Sequence, residues 1–153
     1  MRRCIARLLC SLVLTAAALG TASAFAVDNI TSSDAPDLTS VRAKIKAKDF
    51  KAALAELTPM LATYQHADVY NLTGFALRKT GDYQQALTFY RKALDFDPNH
   101  KGALEYQGEL YVETGQLEKA KENIARLQQL CPSGCEELAD LQKAVSASSA
   151  KLN

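Results

Sequence analysis

Residues 67–100 read ADVYNLTGFALRKTGDYQQALTFYRKALDFDPNH, and residues 101–134, which follow at once, read KGALEYQGELYVETGQLEKAKENIARLQQLCPSG. Set one under the other at a spacing of 34, they pair Tyr70 with Leu104, Gly74 with Gly108, Gly81 with Gly115, Ala86 with Ala120, Tyr90 with Ile124, Ala93 with Leu127 and Pro98 with Pro132. A fixed period of this length marks a solenoid, in which each unit is a supersecondary element that buries its apolar face only by stacking on its neighbours. Each position has its own physical reason. Gly74 and Gly108, with Ala86 and Ala120, are small where the two helices of a unit cross. Gly81 and Gly115 fall where the chain reverses, because positive φ is cheap only for glycine. Pro98 and Pro132 end the second helix of each unit.

In the first copy Tyr70, Thr73-Gly74, Leu77, Ala86, Tyr90 and Pro98 stand in the order of the tetratricopeptide repeat pattern, and in the second copy Leu104, Gln107-Gly108, Tyr111, Ala120, Ile124 and Pro132 do so. The chain resembles that family. The resemblance implies an all-α, short right-handed α-solenoid of antiparallel helix pairs, with units at 67–100 and 101–134. Thr73 and Gln107 depart from it, since the family usually has leucine there. Upstream, residues 37–66 read as a degenerate unit, in which Asp49-Phe50 aligns with Asp82-Tyr83 and Lys48 stands in place of the turn glycine. Downstream, Leu138, Leu141 and Val145 continue the spacing of Leu104, Gln107 and Tyr111, which predicts a capping helix over 135–146. The polar stretches 27–36 and 147–153 are expected to be disordered.

The chain has 153 residues, with 18 Lys and Arg against 17 Asp and Glu. Residues 1–26 combine a basic start (Arg2, Arg3, Arg7), an apolar run and small-residue cleavage candidates ending at Ala24 and Ala26, the pattern of a secretory signal peptide. Cleavage would remove three arginines and no acid, leaving a slightly acidic chain. A basic excess is what nucleic-acid and membrane-surface binding require, so neither is expected, and no later segment is apolar enough for stable membrane insertion. The expected location is periplasmic or secreted.

Two of the four cysteines, Cys131 and Cys135, fall outside residues 1–26 and flank Pro-Ser-Gly in the stretch LCPSGCEEL over 130–138. A Cys-x-x-Cys redox site needs a shorter spacer and a lowered thiol pKa, whereas Glu136 and Glu137 beside Cys135 oppose thiolate formation. A copper or zinc site would have to recruit His66 and His100 from two preceding loops, against the roughly 8–10 Å spacing of stacked helices. The remaining reading is a disulfide that pins the cap to the last repeat in an oxidising compartment. Thiol redox or copper handling through Cys131 and Cys135 is the rival function.

The family resemblance places a concave groove along the first helices of the units. Groove positions map onto Leu38, Arg42, Ile45 and Lys46, then Asn71, Phe75, Arg78 and Lys79, then Glu105, Glu109 and Val112. Glu105, Glu109 and Glu113 lie at spacing four, on one face of a helix, beside the basic Arg78-Lys79. The groove is therefore expected to be electrostatically two-sided and to take a peptide or partner protein of complementary charge. Phe75 reads either as an anchor for that ligand or as inter-repeat core. A second copy of the chain is a further candidate occupant. No phosphate loop, nucleophile elbow or His-Glu-x-x-His helix occurs, so neither an enzymatic activity nor a cofactor is expected.

Overall fold

The computed structural model describes residues 35–150. Among the described residues the secondary structure is helical throughout: α1 (Thr39–Lys46), α2 (Phe50–Thr63), α3 (Ala67–Thr80), α4 (Tyr83–Phe96), α5 (Lys101–Glu113), α6 (Leu117–Leu130) and α7 (Glu136–Ala150). Residues 1–26, expected as a leader, lie outside the described residues, as does most of 27–36. The fold is an all-α helical repeat, as the period requires.

Local chemistry sets the helix ends. Asp49 and Asp82, at matching points of successive units, accept from the backbone N–H groups of Ala52 and Gln85, each at 3.1 Å. Such side-chain caps satisfy donors that the first turn leaves unpaired. Gly81 (φ 92°) and Gly115 (φ 74°) take the left-handed conformation at the reversals. Lys48 adopts the same conformation (φ 61°) in the degenerate unit, a position where an L side chain is strained. The helices α4 and α6 stop at Phe96 and Leu130, two residues before Pro98 and Pro132. Pro59 sits on the exposed side of α2 without ending it.

The core runs along the stack. Val41, Ala53, Leu57, Val69 and Ala76 are fully buried between α1, α2 and α3. Ala86, Tyr90 and Leu110 carry the packing from α4 to α5. Leu104, Tyr111, Ala120 and Leu127 then meet Leu138, Leu141 and Val145 of α7. A Cβ on Gly74 would lie 2.8 Å from the Tyr90 ring and 3.1 Å from the Ala86 carbonyl, so the first unit closes where its small residues stand. Gly108 serves a different contact. A Cβ there would meet the Leu141 side chain of α7 at 2.5–3.2 Å, so the nearest contact of this glycine is the cap. Tyr90 has the shorter Ile124 as its counterpart, and Leu141 fills the space.

Two other expectations are corrected. The helix α7 continues to Ala150, where a disordered tail was expected from residue 147; Ser146 and Ser149 donate to the carbonyls of Gln142 and Val145, which keeps their hydroxyls within the helix. Pro36, placed in the polar linker, is buried, and Asp37 next to it accepts from the Thr39 N–H at 2.9 Å at the entry to α1. The polar departures from the family pattern are satisfied internally. Thr73 donates to the Val69 carbonyl, and Gln107 accepts from Asn123, whose amide also donates to the Leu104 carbonyl at 2.9 Å.

Candidate functional site

The first helices α1, α3, α5 and α7 share a recess of about 330 Å³. Arg42, Asn71, Glu105 and Asp140 contribute to its wall, one from each helix in turn. Asp68, His100, Tyr106, Glu136 and Glu137 complete the polar lining, and Gly102 leaves room there, since a Cβ would stand 3.3 Å from the Asn71 amide nitrogen. The lining follows the period: residues 68, 102 and 136 are equivalent, as are residues 72, 106 and 140.

Asp68 ties α3 to α1 and to the loop that enters α5. Its Oδ1 accepts from His100 Nε2 at 3.1 Å and lies 3.5 Å from an Arg42 guanidinium nitrogen. The hydrogen bond from His100 is the largest influence holding the Asp68 carboxyl below its ordinary value; burial opposes it and Arg42 assists. His100 Nδ1 accepts from the Ala103 N–H at 3.0 Å, which leaves Nε2 as the nitrogen that carries the proton. His66 caps α3 in the same way through the Asp68 N–H at 3.2 Å. Both imidazoles, weighed from sequence as loop metal ligands, thus serve as helix caps. Among the described residues no three His, Cys, Asp or Glu side chains come together in a way that would hold a metal ion.

Glu105 is 8 % exposed and has no ion-pair partner among the described residues. Burial pushes its carboxyl up to about 8, with Glu109, Asp140 and Glu137 adding to the shift and Arg78 opposing it. Asn71, 4 % exposed, keeps a buried Oδ1 without a hydrogen-bond partner. Both were expected to face a ligand from an open groove, but they sit in the depth of the recess.

Arg78 departs most from the expectation. Its side chain is 1 % exposed, with Nη2 2.5 Å from Glu109 and Nη1 3.2 Å from Glu113. The guanidinium is an internal tie between α3 and α5, not a free basic edge. Burial pulls its pKa down, yet the Tyr90 hydroxyl, Glu109 and Glu113 outweigh burial and the net shift is upward. The expected two-sided field is therefore largely neutralised within the protein. Lys79 stays exposed, its ammonium 5.2 Å from the Phe75 ring centroid. Phe75 is half-buried, 4.7 Å from Tyr106 and 6.1 Å from Phe50 between ring centroids, so it packs between repeats. Val112 packs half-buried against the cluster of α5, α6 and α7, away from the recess. Leu38 likewise belongs to the core.

The sulfurs of Cys131 and Cys135 come to bonding distance, with Cα atoms 6.0 Å apart. Both residues are half-buried and pack against the core of α5, α6 and α7.

Residues 67–100 match one profile of the tetratricopeptide repeat, and residues 89–122 match another. A stretch of 56 residues is 39 % identical to the uncharacterized protein ycf37 of Guillardia theta, covering 37 % of this chain and 32 % of that relative. The match thus spans about a third of the relative's length. The crystal structure of PcrH in complex with the chaperone binding region of PopD superposes with a TM-score of 0.63 at 17 % identity, over 81 % of this chain and 99 % of that one. At this identity the likeness speaks for the fold. Helix pairs recurring every 34 residues, left-handed glycines at the reversals and two matching profiles agree, and residues 67–122 are tetratricopeptide repeats.

Proposed function

We propose that the protein is a non-enzymatic interaction module that holds a peptide segment of a partner protein along the inner face of α1, α3, α5 and α7. The observation that carries this reading is the shared recess, an unfilled space whose lining includes two residue positions that recur through successive first helices. The solved relative in fold was crystallised with a chaperone binding region of another protein, a mode of use in keeping with this reading. Photocrosslinking in intact cells tests it, with a photoreactive residue at exposed Lys79 and, as control, at exposed Gln128 on α6. Partner adducts are expected at residue 79 and absent at 128; equal yield at both positions, or none at 79, refutes the reading.

The leader-like residues 1–26 support a periplasmic or secreted location, and a mature N-terminus after Ala24 or Ala26 is the expected result of sequencing the exported protein. In such a compartment Cys131 and Cys135 form a disulfide that staples α7 to α6, with a structural and not a redox role. Their packing against the core, away from the recess, supports that assignment.

A further inference from the structure

A second recess, of about 520 Å³, opens where α3 and α5 begin. It adjoins the recess of the inner face, since Asp68, His100, Gly102 and Glu137 line both. Their chemistry differs. Carboxylates and an amide dominate the first, whereas in the second Phe96 and Ala67 supply apolar surface beside Gln65, Asp97 and Asn99. Phe96 is 50 % exposed and, with Tyr83, is one of the two large apolar side chains exposed among the described residues. Its equivalents in the neighbouring units are Thr63, which is polar, and Leu130, which is half-buried. The Phe96 ring rests on Tyr70, 5.4 Å between centroids, and Tyr70 in turn stacks on Phe89. An aromatic already held in place beside an open cavity loses little freedom when a partner covers it, and its exposed surface gains from being taken out of water.

We infer that this second recess seats a large apolar side chain of the bound segment, packed against Phe96, while the adjoining residues of that segment lie along the inner face. The inference rests on the groove reading proposed above and adds the chemistry of the partner. Continuity carries it: a segment that leaves the inner recess across Asp68 and His100 enters the space beside Phe96. The rim it crosses is fixed, because His100 holds Asp68 through Nε2 and caps α5 through Nδ1. The charges around the seat are already engaged. Lys101 lies 4.0 Å from Glu137, Asp68 has His100 and Arg42, and Asp97 accepts from the Asn99 N–H. A charged side chain would find no free partner of opposite sign there, and an apolar one framed by polar groups is the usual form of a binding hot spot.

The test uses the mature chain, amide NMR, and N-acetyl-phenylalanine methylamide as probe, with N-acetyl-asparagine methylamide as its polar counterpart. Shifts at Asn99 and Gly102 are expected from the phenylalanine probe and not from asparagine. Phe96→Ser should weaken the probe about tenfold, as loss of part of an apolar contact does. Tyr83→Ser removes the other exposed aromatic, which lines a separate recess sharing no residue with these two, and should leave binding unchanged. Equal shifts from asparagine, insensitivity to Phe96→Ser in a variant of unchanged helicity, or equal weakening by Tyr83→Ser overturns the inference. Shifts at the same amides on raising the protein concentration alone would assign the seat to a second copy of the chain, and tighter binding of diacetylchitobiose would assign it to a glycan; either result overturns it as well. In cells, a photoreactive residue at exposed Asn99 should join the same partner segment as one at Lys79. If crosslinking at 79 persists while the probe does not bind and 99 yields no adduct, the groove stands and only the apolar seat falls.

Discussion

Arg78 and Glu109 are joined across the boundary between two repeats, guanidinium to carboxylate at 2.5 Å, and Glu113 takes the other arm of the same guanidinium. The pair fixes the stagger of α3 against α5, and its charges are shared between units and not offered to a ligand. Arg78→Leu leaves two carboxylates facing a partly apolar wall, and truncating one side of a buried pair typically costs about 3 kcal/mol. Glu109→Gln should cost less, about 1 kcal/mol, because Glu113 still reaches Arg78. Urea denaturation of both variants checks the order, and an equal cost for the two contradicts it.

Glu105 makes stability fall with rising pH. Its folded pKa, about 8, lies above the ordinary carboxyl value of 4.5, so between these limits the folded state holds a proton that the unfolded state has lost. The penalty is absent below about pH 4.5, grows through neutrality and is complete above pH 8. After allowance for solvent relaxation, Glu105→Gln should stabilise the protein by about 2 kcal/mol at pH 8.5 and hardly at pH 4.5. Melting curves across this range read the difference directly, and a parallel offset at all pH values refutes the assignment.

Gly108→Ala tests the seat of the cap. The added methyl would press on Leu141, which is fully buried, and overpacking of this kind costs about 1–3 kcal/mol. Amide hydrogen exchange should rise first in α7 and stay low in α3. Uniform acceleration through the chain would mean that the cap does not open by itself.

Replacing Cys131 and Cys135 with serine should lower stability by about 2 kcal/mol while Lys79 crosslinking continues. Loss of crosslinking with unchanged melting temperature would revive the redox reading.

Lys48→Gly relieves a left-handed conformation at a turn where the later units carry Gly81 and Gly115. The strain of about 1–2 kcal/mol exceeds the added flexibility of glycine in the unfolded chain, about 0.5–1 kcal/mol. A gain of a few tenths to 1 kcal/mol is expected from thermal or chemical denaturation.

The repeat made the helices legible, because glycine and proline announce reversals and stops wherever they stand. Distances between helices left no such trace. Glu105, Glu109 and Glu113 were visible as a stripe, but that Arg78 lies across from two of them depends on how α3 is staggered against α5. Burial misled for the same reason: Asn71 and Glu105 occupy family groove positions, yet the arrival of α7 deepens the groove there into a recess. The signal that would have found Asp68, Tyr106 and Asp140 was present in the period itself, since positions 68, 102 and 136 and positions 72, 106 and 140 recur on the same face. The histidines were weighed as metal ligands and set aside on helix spacing, but their role as caps was legible from their place just before α3 and α5.

The outward side of α7 carries Ala139, Gln142, Lys143 and Ser146, all exposed. Its apolar side is spent on α5 and α6 through Leu138, Leu141 and Val145. Among the described residues, that outward side of the last helix is therefore mostly polar while its inner side is apolar. A fold made of stackable parts has, in α7, a helix that closes the stack by turning a wet back to solvent.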